Sequence, residues 1–232
     1  MIVICQKHLN REELVEYCKP YKFVIGIDEV GWGAIAGPVT LGAVAMVPAL
    51  IDHPMLEWKD SKKYYSENKR ASHAEEVKKY AMEAKTLHIS PRQLEKYGPG
   101  PALYAGVKSL LNYFNEDYSN TLVVLDGTFN LDLNVDLDII SVPKADANCK
   151  AVSAASIIAK VERDDIMYIN SHFYPKYEWE SNKGYPSAKH LAALKTYGIS
   201  EHHRKNINTV RKALQRKGYY ATETTPAYQA RR

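Results

Sequence analysis

Apolar residues along this chain gather into short runs that follow two different periods. YKFVIGID (21–28), PVTLGAVAMV (38–47), KTLHIS (85–90), NTLVVLDG (120–127) and LDIISV (137–142) are rich in β-branched and aliphatic residues and lie between turn formers. They predict five strands, with Pro38 suited to the first residue of the second. Helical spacing marks KRASHAEEVKKYAMEA (69–84), PALYAGVKSLLNYF (101–114), Lys150 to Asn170, SAKHLAALKTYG (187–198) and INTVRKALQRKG (207–218). Pro101 fits a first helical turn, while Gly198 and Gly218 end the last two helices. Asn10 is placed to cap a short helix, REELVEYCK, which Pro20 stops. The order predicts an α/β fold: a mixed five-stranded sheet flanked by helices, with additional C-terminal helices. Residues 1–220 are expected to form one domain and the polar tail, 221–232, to be disordered.

Composition narrows the class without naming a chemistry. Of 232 residues, 45% are hydrophobic and 25% charged, which is ordinary for a globular chain, and the net charge of +4 is compatible with a nucleic-acid partner. Cys5, Cys18 and Cys149 have no metal-ligand spacing, and a sparse, odd set suits reduced thiols. No apolar run approaches membrane-spanning length, and MIVIC is too short for a signal-peptide core. A cytoplasmic monomer with no membrane partner is expected.

The stretch VIGIDEVGWGAIAGPV (24–39) carries Gly31, Gly33 and Gly37 after a strand, like a phosphate-binding loop. A dinucleotide fingerprint needs GxGxxG and a helix directly after it. Here the spacing is GxGxxxG, a strand follows, and Asp28 and Glu29 stand where phosphate would be repelled. The glycines fit better as a tight connection between two strands, with backbone open to a ligand.

Four acids stand at element ends: Asp28 and Glu29 after the first long strand, Asp126 in LVVLDG, and Asp146 in KADAN ahead of the long helix. Singly, each reads as a turn or cap residue. Because successive strand residues point to opposite faces, Asp28 and Glu29 share one site only if the strand stops or bulges there. Together at the carboxyl ends of strands, where α/β sheets bind ligands, four carboxylates require cations. Hard oxygen donors select Mg²⁺ or Mn²⁺, and two such ions about 4 Å apart fit phosphodiester hydrolysis.

GIDEVGWGAIAGPV, DSKK (60–63), VVLDG, KADANCKAVSAASIIAKVERDDIM and KGYPSAKHLAALKTYGISEHHR occur in a single order that resembles the type 2 ribonucleases H, the ribonuclease HII family. The resemblance runs from about Lys22 to about Gln215. It implies a ribonuclease H-like fold, with Asp28, Glu29, Asp126 and Asp146 as catalytic metal ligands for two ions. It implies cleavage of RNA in RNA–DNA hybrids and 5′ to single ribonucleotides in duplex DNA, leaving 5′-phosphate and 3′-hydroxyl. A hybrid-binding protein with weak or lost cleavage is the alternative. The turn Gly31–Trp32–Gly33 and Tyr185 are implied to read the ribose 2′-hydroxyl. Lys62, Lys63, His202, His203, Arg204 and Lys205 are candidate phosphate contacts. Trp32 departs from the family's basic residue: it supplies no charge, and either packs on a sugar or base or covers apolar surface. GPGP (98–101) also departs, standing where the family has a helix lead-in with asparagine.

Overall fold

Among the residues that the computed structural model describes, 5–58, 67–114, 120–128 and 137–217, six strands make one mixed sheet. They are β1 (Cys5–Gln6), β2 (Phe23–Val30), β3 (Val39–Met46), β4 (Glu83–Ile89), β5 (Thr121–Asp126) and β6 (Asp138–Val142), in the order β1-β6-β5-β2-β3-β4. β2, β3 and β4 pair antiparallel, while β2, β5, β6 and β1 pair parallel. All five expected strands are present, and β1 adds two residues at one edge, too few for periodicity to reveal. The expected loop with Lys62 and Lys63 and the tail 221–232 lie outside the described residues.

Helices cover both faces, which is why β3 is buried at every position and shows no alternation. On one face α4 (Pro99–Phe114) sets Leu103, Val107, Leu110 and Phe114 against Ile25, Ile27, Val39 and Leu41. On the other, α6 (Lys150–Phe173) lays Ala151, Val152, Ala154 and Ala155 against Val24, Val44 and Val124, with α1 (Arg11–Cys18) and α2 (Glu67–Tyr80) beside it. The α6 backbone comes very close to the sheet. A Cβ on Gly26 would lie 2.2 Å from the carbonyl carbon of Ala151, and one on Gly42 would lie 2.2 Å from the Ala155 oxygen.

Several elements differ from expectation. α2 stops at Tyr80, short of the expected Ala84, because Glu83 and Ala84 pair with Ala45 and Val44 of β3; the sheet outweighs helix propensity. α3 (Pro91–Tyr97) was not expected; Ser90 and Gln93 form its capping box. α6 runs three residues beyond Asn170. The one-turn α5 (Ala145–Asn148) precedes α6, and α7 (Trp179–Asn182), α8 (Ala188–Tyr197) and α9 (Asn208–Lys217) close the chain. Asn10 caps α1 as expected, accepting from Glu13 N–H at 3.0 Å. No helix among the described residues is long and apolar enough to cross a membrane.

Candidate active site

Parallel pairing sets Ile27 of β2 opposite Leu125 of β5, so the next residues, Asp28 and Asp126, reach the same edge of the sheet. The β2–β3 ladder continues unbroken through Asp28↔Gly42, Glu29↔Leu41 and Val30↔Thr40, with no bulge to realign the acids. Asp28 and Glu29 therefore keep the strand alternation. Asp28 turns toward α6, where Ser156 hydrogen-bonds to it, and is 5% exposed. Glu29 and Asp126 line a cleft on the α4 side. Lys144, with φ of 62°, turns the chain after β6, and the Ala145 N–H then donates to Asp126 Oδ1 at 2.7 Å. The Ser153 hydroxyl donates to the Asp146 carbonyl at 2.6 Å, tying α5 to α6.

Burial, and then the charge of Glu29, push the Asp28 carboxyl well above the usual range. Asp126 and Asp146 add to the rise, and the Ser156 hydrogen bond opposes it. The buried Asp28 thus feels the charge of the other three acids. Among the described residues no three His, Cys, Asp or Glu side chains form a closed ligand cage. The chemistry of the donors, hard oxygens around a buried carboxyl whose ionised form is costly, still fits a hard divalent cation.

Beside the acids, the glycine turn joins β2 to β3 as expected. Gly31 has φ of 91°, and a Cβ there would lie 2.1 Å from Arg163 Nε. Two buried arginines hold the turn from behind. Arg163 donates to the carbonyls of Pro38 at 3.0 Å, Lys183 at 2.9 Å and Ala36 at 3.3 Å. Arg204 donates to Gly37 at 2.9 Å, Trp32 at 3.0 Å and Pro38 at 2.8 Å. Burial, then the Arg163 charge, bring the Arg204 pKa down to about 9, so it remains a cation at neutral pH.

The GYP loop is bonded straight onto this turn. The Gly184 carbonyl accepts from Ile35 N–H at 2.9 Å and Ala36 N–H at 3.2 Å. The Tyr185 ring lies 5.2 Å from the Arg163 guanidinium carbon. His190 Nδ1 donates to the Tyr185 carbonyl at 2.9 Å, and Trp179 Nε1 donates to His190 Nε2 at 3.1 Å. His203 Nδ1 accepts from Ser200 N–H, which leaves its Nε2 to donate to His190 at 3.1 Å. This arrangement assigns both rings as neutral tautomers.

The cleft next to the acids has a volume of about 660 Å³. Glu29, Trp32, Pro101, Leu103, Tyr104 and Asp126 are among the residues that line it.

A family model described as Ribonuclease HII matches residues 25–216. The chain belongs to the ribonuclease HII family. It is 32% identical over 190 residues to a ribonuclease HII of Mycoplasma mycoides, covering 82% of this chain and 88% of that one. Its fold is similar to that of the ribonuclease H2 of Pyrococcus horikoshii OT3, with TM-score 0.70 and 24% identity over 84% of this chain and 98% of that one. It is also similar to Bst-RNase HIII in complex with Mn²⁺, with TM-score 0.67 and 18% identity over 88% of this chain and 72% of that one. Ribonuclease HII enzymes are metal-dependent endoribonucleases, and this chain is a hydrolase of that kind.

Not every expected contact faces the cleft. Arg204 is 2% exposed and donates to three backbone carbonyls; it is corrected from a phosphate contact to an internal brace of the turn. His203 is buried in the Trp179–His190 network and is likewise no surface contact. Lys205 pairs with Glu95 at 3.6 Å. Arg163 was missed. The available signal was its i+4 spacing from Ala159 and i−4 from Met167, which puts an arginine on the buried stripe of α6.

The buried histidines give the fold a pH dependence. Burial, then the repulsion it would meet from a protonated His190, lower the His203 pKa to about 3, and burial also lowers that of His190. Between the unfolded value of 6.5 and about 3, the unfolded chain binds more protons than the folded one. The contribution is whole above pH 6.5 and is lost on acidification. Denaturant unfolding from pH 7 to 5 should show stability falling, with a limiting slope of about 1.4 kcal/mol per pH unit from His203 and a fall in the same direction from His190. A flat profile would remove this pair from the account.

Proposed function

We propose that this chain cleaves the RNA strand of RNA–DNA hybrids and cuts 5′ to single ribonucleotides in duplex DNA, leaving 5′-phosphate and 3′-hydroxyl ends. The observation that carries the reading is the action of Glu29, Asp126 and Asp146 on the buried Asp28 carboxyl, beside a glycine turn that is hydrogen-bonded to the Gly184–Tyr185 loop. The fold relative crystallised with Mn²⁺ supports the choice of ion class.

Asp28, Glu29, Asp126 and Asp146 would hold two Mg²⁺ or Mn²⁺ ions, which when bound supply Lewis acidity for in-line phosphodiester hydrolysis. Ala145 N–H fixes one oxygen of Asp126, and Ser156 fixes Asp28, so the acids are oriented before substrate arrives. Arg163 and Arg204 hold the turn so that backbone near Gly31 and Gly33 approaches a ribose 2′-hydroxyl. Among the described residues a Cβ on Gly33 would meet nothing within 4 Å, which leaves room for a ligand to approach its backbone. The Tyr185 ring, backed by Arg163, offers a face to the sugar at the RNA–DNA junction.

A duplex with one embedded ribonucleotide, incubated with and without Mg²⁺ and mapped at its ends, tests the reading. A single metal-dependent cut 5′ to the ribonucleotide is expected. Binding without any cut would favour the hybrid-binding alternative. Tyr185→Ala should slow that cut by about ten- to a hundredfold, and Tyr185→Phe by much less, with the Mg²⁺ requirement unchanged in both. Equal losses on every substrate, with a lower Tm, would make Tyr185 a structural residue.

A further inference from the structure

We infer that Trp32, Pro101 and Tyr104 form an uncharged wall that holds the sugar and base face of a nucleotide beside the scissile phosphate. This rests on the nuclease reading above and names how that site grips its substrate.

Trp32 is 47% exposed, while the other tryptophans, Trp58 and Trp179, are at 1% and 0%. An indole that served to cover apolar surface would be buried as those two are. Its carbonyl is fixed by Arg204 at 3.0 Å, so the residue is held in place while its ring remains available at the cleft. In the same cleft lining, α4 begins with Pro99–Gly100–Pro101, whose proline rings fix the backbone where Pro101 and Tyr104 reach the cleft. A wall already ordered in this way loses little freedom when a ligand stacks on it.

The charges around the cleft favour the same occupant. Among the described residues lining it none is cationic, and Glu29 and Asp126 are acidic. The two arginines behind the turn each donate to three backbone carbonyls. A phosphate has no counter-charge on this wall. The face of a base or the carbon side of a sugar needs none and gains from ring contact.

Trp32 is also the natural reporter, being the one exposed tryptophan of the three. The experiment titrates a short duplex containing one ribonucleotide into protein carrying Asp126→Asn in Mg²⁺, following tryptophan fluorescence, acrylamide quenching and anisotropy of a labelled duplex. Binding should quench the exposed indole and protect it from acrylamide. Trp32→Phe should lose that signal and keep affinity within about threefold. Trp32→Ala should bind about tenfold more weakly with an unchanged salt slope. Trp32→Arg should steepen the slope of log affinity against log salt by about one unit, exchanging a ring contact for a phosphate contact. The inference is overturned if the duplex binds without altering indole fluorescence or acrylamide access, or if Trp32→Ala binds as tightly as the parent. If unmutated protein neither binds nor cuts the duplex, the nuclease reading fails and the wall fails with it.

Discussion

Asp126→Asn should cut a ribonucleotide-containing duplex at least about a thousandfold more slowly than the unmutated enzyme, at saturating Mg²⁺, while still folding and binding the duplex. An asparagine keeps the oxygen that accepts from Ala145 N–H at 2.7 Å, so the β5–α5 junction survives. What it removes is one carboxylate charge from the field around Asp28 and one proposed ligand of the metal pair. Metal assistance contributes several kcal/mol of transition-state stabilisation, which at about 1.4 kcal/mol per factor of ten gives the expected loss. Asp28 gains by the change, because Asp126 helps to raise its pKa. An acid whose pKa is raised in the fold costs stability as pH rises past its unfolded value, so easing that rise should leave the metal-free variant no less stable at neutral pH. Initial rates with matched anisotropy and thermal melts check both halves. Residual activity within tenfold of the parent, or full activity of the parent in excess EDTA, would sink the metal-ligand assignment.

The largest loss of stability is expected from Gly26→Ala. Its new methyl would sit 2.2 Å from the Ala151 carbonyl carbon and the Val152 nitrogen, which are backbone atoms of α6 and not flexible side-chain ends. Either the helix lifts off β2 or the strand bends. The cost should be about 3 kcal/mol or more in denaturant unfolding. Because Ser156 and Asp146 travel with α6 and α5, activity should fall even at temperatures where the variant is folded. Gly33→Ala is the counterpart: its methyl meets nothing among the described residues, so stability should change by about 0.5 kcal/mol or less while substrate affinity drops. A Gly26→Ala protein as stable as its parent would mean that α6 has room to move that the packing does not show.

The centre of the sheet was legible because β2, β3 and β5 are runs of aliphatic residues between turn formers, and burial on both faces strengthens that signal. The acids were legible by position: parallel strands deliver their last residues to one edge, so Asp28 and Asp126 were bound to meet once β2 and β5 paired. The absence of a bulge after Asp28 was not legible, since a glycine turn permits both outcomes. Nor were the roles of the cations. HHRK reads as a basic surface cluster, yet Arg204 lies 172 residues from the Trp32 carbonyl it holds, and periodicity carries no information about which distant carbonyl needs a donor. The same limit hid Arg163, whose three acceptors come from the turn, from Pro38 and from the GYP loop. α3 was missed for a different reason: its cap is written in Ser90 and Gln93, but seven residues between a strand and a longer helix show too little periodicity to stand out.

The arginine brace gives position 32 an unusual freedom. The curve of the turn is set by Gly31, by carbonyls held from inside, and by the Gly184 carbonyl bonded to Ile35 and Ala36; the side chain of residue 32 has no part in any of these contacts. Shape and chemistry are therefore separable at this point of the enzyme. The brace works as a socket into which evolution, or a saturation library, can fit a cation, a ring or a small polar group without refolding the loop. Members of such a library should melt together and differ in which flanking nucleotides they prefer, making residue 32 a dial for substrate choice mounted on a fixed frame.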